Sequence, residues 1–123
     1  SVIFSGQLSL ENIENGRTVI VIKHTYGERA NDVVEGTNTG LLSGENVKWK
    51  NLELRVNGVI VDNTITLISE GKSITQVTKG TCYALVVGDM IRVSYPTGLK
   101  IGDKVSLKWV PKNQTLVEKE VTY

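Results

Sequence analysis

The sequence predicts an all-β fold, an antiparallel β-sandwich of about seven to nine short strands forming one domain over residues 1–123. Three observations carry this. Apolar and polar residues alternate with a period of two in short runs, most clearly where Ile91, Val93 and Tyr95 alternate with Arg92 and Ser94. Turn-forming residues separate such runs at a spacing of roughly 8–12 residues, the rhythm of a sandwich. No segment sustains a helical period. A chain of 123 residues is also long enough to bury a core without metals or disulfides.

Each element follows in order. Residues 2–10 read as a first strand with Gly6 at a bulge, and residues 11–16 as a polar turn. Residues 17–25 are apolar on both faces, Val19 and Val21 on one and Ile20 and Ile22 on the other, which suits a central strand or one reaching a second buried surface. Residues 26–46 carry Gly27, Gly36, Gly40 and Gly44 without periodicity and read as a long irregular loop, pinned by Val33, Val34, Leu41 and Leu42. Over residues 47–62, Leu52, Leu54 and Val56 alternate with Glu53 and Arg55 before Asn57-Gly58, a type I′ hairpin turn. That turn sets Val56 opposite Val59 and Leu54 opposite Val61 on the core side. Arg55 then faces Ile60, and Glu53 faces Asp62, on the outer side. Residues 64–69, 73–78 and 81–87 add three short strands. Residues 88–123 add three more, punctuated by Pro96-Thr97-Gly98, Gly102-Asp103 and Pro111-Lys112-Asn113.

Fourteen basic against thirteen acidic residues leave a net charge of +1, so no field is expected to recruit nucleic acid or an anionic membrane. Trp49, Tyr83, Tyr95 and Trp109 are not interleaved with basic residues as base-stacking platforms would be, and core use is expected. No apolar run approaches the ~20 residues that span a bilayer. Cys82, the single cysteine, lies in an apolar strand and is expected to be a buried, inert thiol. Ile60 is an isoleucine on an otherwise charged face. It is either a scattered surface residue or, with Arg55 and Glu53, a candidate protein interface.

Chemistry is hard to find. His24 is the only histidine, whereas zinc needs several ligands and a hydrolytic triad needs a nucleophile beside its base. No G-x-S-x-G elbow exists, and His24 is expected to bond backbone at a strand end. Glu70-Gly71-Lys72-Ser73 looks like the end of a phosphate loop, but Thr66 stands where the first glycine belongs and no helix follows. Gly36, Gly40 and Gly44 lie in a loop, not at a strand-to-helix turn. The pairs Asp32/Glu35 and Glu118/Glu120 could do acid–base work only inside a cleft. No catalytic residue, metal or cofactor is therefore expected. Asn113-Gln114-Thr115 fits the N-glycosylation pattern in a turn, in keeping with an extracytoplasmic location. The rival readings are a carbohydrate- or ligand-binding sandwich using residues 26–46 with Trp49, and an enzyme built around His24.

The cluster Ile22-Lys23-His24-Thr25-Tyr26-Gly27-Glu28 resembles archaeal type IV pilin-like proteins, whose first strand after the N-terminal helix ends in a similar histidine–glycine–acid cluster. Leu52-Glu53-Leu54-Arg55-Val56-Asn57-Gly58 is similar to the family's hairpin. Ile101-Gly102-Asp103-Lys104-Val105 and Lys108-Trp109-Val110-Pro111 are similar to its closing strands. The family includes adhesive pilins, archaellins and the accessory (stator) subunits of the archaellum; this chain resembles the accessory subunits most, with an adhesive pilin subunit as the alternative. The resemblance implies an immunoglobulin-like sandwich in the archaeal cell envelope, outside the cytoplasmic membrane, tethered by an N-terminal helix. The start at Ser1, without Met, fits a domain cut behind such a helix. Expected partners are further copies of itself, the surface-layer protein or other archaellum proteins, with the membrane met only through the missing helix.

Overall fold

A computed structural model describes residues 3–14, 18–36, 47–62, 64–69, 72–73 and 81–122. In chain order the strands are β1 (Gln7–Glu14), β2 (Val19–Tyr26), β3 (Ala30–Gly36), β4 (Val47–Trp49), β5 (Leu52–Val56) and β6 (Val59–Ile60). There follow β7 (Thr64–Ser69), β8 (Lys72–Ser73), β9 (Thr81–Leu85), β10 (Met90–Ser94), β11 (Lys104–Trp109) and β12 (Gln114–Glu120). One turn of 3-10 helix (Val110–Lys112) joins the last two.

One sheet has the order β1-β2-β10-β7-β8 and the other β12-β11-β5-β6. Read as A-B-E-D against G-F-C-C′, this is the strand order of an immunoglobulin-like sandwich, and every pairing is antiparallel. A third sheet, β4-β3-β9, comes from the two long connections, one between β2 and β5 and one between β8 and β10. The strand count thus exceeds the expected seven to nine because insertions that read as irregular also form strands.

The core is one continuous cluster. Leu8, Leu10, Ile20, Ile22, Ile65, Ile91 and Val93 from the first sheet meet Leu52, Leu54, Val56, Val105, Leu107 and Trp109 from the second. Ala30, Val33, Val34 and Leu85 extend it beneath the third sheet. Strand β2 is central between β1 and β10, as its two apolar faces require. Val21 is buried although it lies on the opposite side of β2 from the core, between Glu11 and Arg92 in register. The long stems of such neighbours can cover an apolar residue while their charges stay wet.

Two boundaries differ from expectation. The first strand runs through Glu14 rather than stopping at Leu10, so residues 11–14, expected in a turn, extend the pairing with β2. Residues 30–36 of the supposed loop form β3, whose alternation is broken by Asp32 at φ 52 and a register shift between Ala30 and Val34. The strand expected over 73–78 falls, apart from Ser73, outside the described residues, as do residues 37–46.

The sides of the sandwich are not alike. Along β1 and β12, Lys119 Nζ donates to the Leu10 carbonyl (2.8 Å). Gln114 holds Phe4 through Phe4 N–H to Oε1 (3.1 Å) and Nε2 to the Phe4 carbonyl (3.2 Å). Strand β12 also exposes Glu118, Lys119 and Glu120, and charge discourages a second chain from adding to an edge. The β6 side carries no such device within its own two residues, Val59 and Ile60.

Candidate functional site

The outer end of the β5–β6 hairpin is the most distinctive surface among the described residues. Asn57 (φ 51) and Gly58 (φ 83) occupy the left-handed region that a type I′ turn demands. The register is the expected one, Arg55 opposite Ile60 and Val56 opposite Val59, with Val61 N–H returning to the Leu54 carbonyl at 2.8 Å. In a two-residue hairpin the pair flanking the turn exchanges both backbone bonds and the next pair exchanges none. Ile60 therefore turns its own N–H and C=O away from β5, toward the open edge. The residue is 43 % exposed.

Arg55 is organised around this point. Its Nε and Nη2 donate to Glu53 Oε1 at 3.0 and 2.8 Å, and its Nη1 donates to the Gly58 carbonyl at 3.2 Å. The ion pair is partly shielded, and it leaves Ile60 beside a neutralised pair rather than a free charge. The structure thus brings Glu53, Arg55 and Ile60 together on one face. It also corrects one expectation: Val59, assigned to the core side, is 69 % exposed. Val56, opposite it, is buried with β11 paired on its other side, whereas among the described residues β6 is the edge of the sheet and pairs only with β5. The apolar edge is consequently two residues wide, which the alternation pattern hid.

Asn57 is more than a turn residue. Its N–H donates to the Lys104 carbonyl (2.8 Å), its Oδ1 accepts from Lys104 N–H (3.0 Å), and its Nδ2 donates to Asp103 Oδ1 (3.0 Å). Asp103 Oδ2 accepts the Lys100 N–H at 2.7 Å. The Lys100 amide and then the Asn57 amide hold the Asp103 carboxyl below the usual carboxylate range. Asn-Gly and Gly-Asp were readable as turns in the sequence, but nothing there says that they bind each other.

At the opposite end lies the cluster around His24. The imidazole is fully buried, and its Nε2–H donates to the Glu28 carbonyl at 2.6 Å. It meets the Phe4 ring edge-on at 6.4 Å, while Nδ1 has no hydrogen-bond partner among the described residues. Buried Asp89 accepts Val86 N–H on Oδ2 (2.9 Å), and its carbonyl accepts His24 N–H (3.0 Å). Glu28 turns outward, where Ser5 Oγ (2.7 Å) and Ser5 N–H (3.3 Å) donate to its carboxylate and lower its pKa. His24 bonds backbone, as expected, and its ring is enclosed.

Because Asp103 and Glu28 both have depressed pKa values in the folded state, their contribution is present above the unfolded pKa and is lost as pH falls through the folded one. Denaturant titrations in the acid range, below about pH 5, should therefore show a shallower pH dependence for Asp103→Asn and Glu28→Gln than for the parent. An unchanged slope would mean that these bonds do not lower the two pKa values on folding.

Two further candidates look different in the structure. Cys82 is half-buried rather than buried, because β9 is an edge of the third sheet, and Lys50 Nζ lies 3.4 Å from its Sγ. That contact raises the Lys50 pKa. Trp49 packs partly buried against the core, and its Nε1–H is committed to the Val61 carbonyl (2.7 Å). Asp32 and Glu35 are exposed on β3, while Glu118 and Glu120 line the outer face of β12 opposite Ser106 and Lys104. Among the described residues no cluster of three or more metal-ligating side chains forms, and no helix is long and apolar enough to cross a membrane. Comparison with known proteins finds no matching family model, curated protein or solved structure.

Proposed function

We propose that this sandwich works by protein contact and not by catalysis, as the extracytoplasmic domain of an archaeal pilin-like archaellum accessory subunit. It self-associates and binds a surface-layer or filament partner in the cell envelope. The observation that carries the contact reading is the β6 edge: Val59 and Ile60 are both exposed, and the Ile60 backbone groups face outward. Such an edge can accept a strand from another chain. The Arg55–Glu53 pair beside it supplies a fixed polar rim. The family assignment rests on the resemblance of the His24, Asn57 and Trp109 segments. The commitment of the Trp49 indole to Val61 argues against the ligand-binding alternative, and the burial of His24 against an enzyme.

Ile60→Lys tests the contact. A lysine at this edge brings a charge that association would have to desolvate, so the dissociation constant should rise by on the order of a hundredfold or more. Sedimentation velocity over a concentration series reads this, with circular dichroism verifying that the variant is folded. Identical sedimentation of the variant and the parent removes the β6 edge from the proposal.

A further inference from the structure

We propose that Asn57 is a site of self-modification by deamidation, and that its clasp to Asp103 and Lys104 controls the rate. This site does not depend on the function proposed above. Asn-Gly is the dipeptide in which a backbone nitrogen is least shielded, because glycine carries no side chain over it. The reaction is the attack of the Gly58 nitrogen on Asn57 Cγ. The attacking N–H gives up its proton to solvent, Nδ2 leaves as ammonia, and a five-membered succinimide closes. Water then opens the ring at either carbonyl and leaves aspartate or isoaspartate at position 57. The net change is the consumption of one water and the release of one ammonia.

In the folded protein this attack is obstructed by identifiable bonds. Ring closure needs the Asn57 side chain to rotate away from a staggered rotamer and lay Cγ on the Gly58 nitrogen. Here Oδ1 is held by Lys104 N–H at 3.0 Å, and Nδ2, the leaving group, by Asp103 Oδ1 at 3.0 Å. The Asn57 backbone is fixed as well, by its N–H on the Lys104 carbonyl at 2.8 Å. Asp103 is itself locked by Lys100 N–H at 2.7 Å, so it does not follow the amide when it moves. Reaction therefore proceeds from the fraction of molecules in which the clasp is open.

Once the reaction has occurred, the Asp103 half of the clasp cannot re-form. Aspartate at 57 has no donor for Asp103 and sets two carboxylates against each other across a former hydrogen bond. Isoaspartate adds a backbone carbon to a two-residue turn whose geometry depends on Asn57 at φ 51 and Gly58 at φ 83. Either product loosens the turn that leads directly into Val59 and Ile60. The Asn57–Asp103 contact is thus a slow, irreversible release for the hairpin tip.

The test compares three samples aged together at mildly alkaline pH: the folded protein, its Asp103→Ala variant, and the isolated peptide running from Val56 to Lys72. Tryptic digestion excises that same peptide from the proteins. Fragmentation assigns the amide-to-acid mass change to Asn57 or to Asn63, which precedes threonine. Losing the side-chain bonds should cost on the order of ten- to a hundredfold in the closed fraction, so the folded parent should deamidate slower than the peptide by about that factor. Asp103→Ala, folded by circular dichroism, should recover most of it. Equal rates in protein and peptide, or no acceleration in a folded Asp103→Ala, overturn the gating. The consequence is tested separately with Asn57→Asp: amide exchange at Lys104 should quicken by about tenfold. An unchanged exchange rate overturns the release.

Discussion

Trp109→Ala should cost on the order of 3–5 kcal/mol and lower the melting temperature by roughly 10–20 °C. Trp109 closes β11, opposite Leu52 on one side and Gln114 on the other, and only 8 % of it is exposed. Its indole stacks on Phe4 with ring centroids 4.7 Å apart and an interplanar angle of 26°. Phe4 is held in turn by Gln114 through both backbone groups and touches His24 edge-on. Removing the indole thus opens a cavity where the N-terminal segment, the β2 end and the second sheet meet, and these cannot collapse together without breaking the Gln114 bonds. Guanidinium denaturation is the direct measurement: the midpoint should fall while the slope stays constant, marking lost stability rather than a changed unfolded state. Trp49 remains as the sole tryptophan, which keeps the transition readable by fluorescence excited beyond the tyrosine band. A loss below about 1 kcal/mol would mean that this end repacks freely, contrary to its hydrogen bonding.

Strands were legible where one face alone is buried. Val105, Leu107 and Trp109 lie in the core while Ser106 and Lys108 do not, and the period of two reports this directly. The hairpin at Asn57-Gly58 was legible because only a few turn types join strands over two residues, and their dihedrals select those amino acids. Strand β3 escaped because Asp32 at φ 52 inserts a bulge, after which Val33 and Val34 are both buried and no alternation survives. The exposure of Val59 escaped for another reason. Alternation gives the face of a strand but not whether anything covers that face, and among the described residues β6 pairs only with β5. Long-range partners were invisible altogether. Lys50 beside Cys82 and Asn57 on Asp103 join residues 32 and 46 positions apart, and no local pattern encodes such meetings. Of the candidate interface, the sequence carried the facing of Arg55 and Ile60, whereas the Arg55–Gly58 bond and the open edge depend on side-chain reach and strand order.

Gly6→Ala should destabilise by about 2–3 kcal/mol, far beyond an ordinary glycine-to-alanine change in a strand. A methyl placed there would lie 2.4 Å from Phe4 Cζ and 2.7 Å from the Glu28 carbonyl oxygen. Neither neighbour can withdraw cheaply, since Phe4 is stacked on Trp109 and the Glu28 carbonyl accepts the His24 Nε2–H at 2.6 Å. The close approach has a partner across the gap. Gly27 adopts φ +84, and a methyl on it would come within 3.0 Å of the Gly6 Cα. The two glycines therefore let the start of β1 press against the β2–β3 turn, with Ser5 reaching Glu28 beyond them. This accounts for the His24-Thr25-Tyr26-Gly27-Glu28 segment: the imidazole supports the turn from inside, the glycine makes room, and the acid fastens the incoming chain from outside. If that is right, Gly6→Ala and Gly27→Ala share one penalty, and their double variant should lose less than the two single losses combined, by about 0.5 kcal/mol or more. Thermal melts of the four proteins supply the cycle, and strict additivity would separate the two glycines and leave each with only a local role.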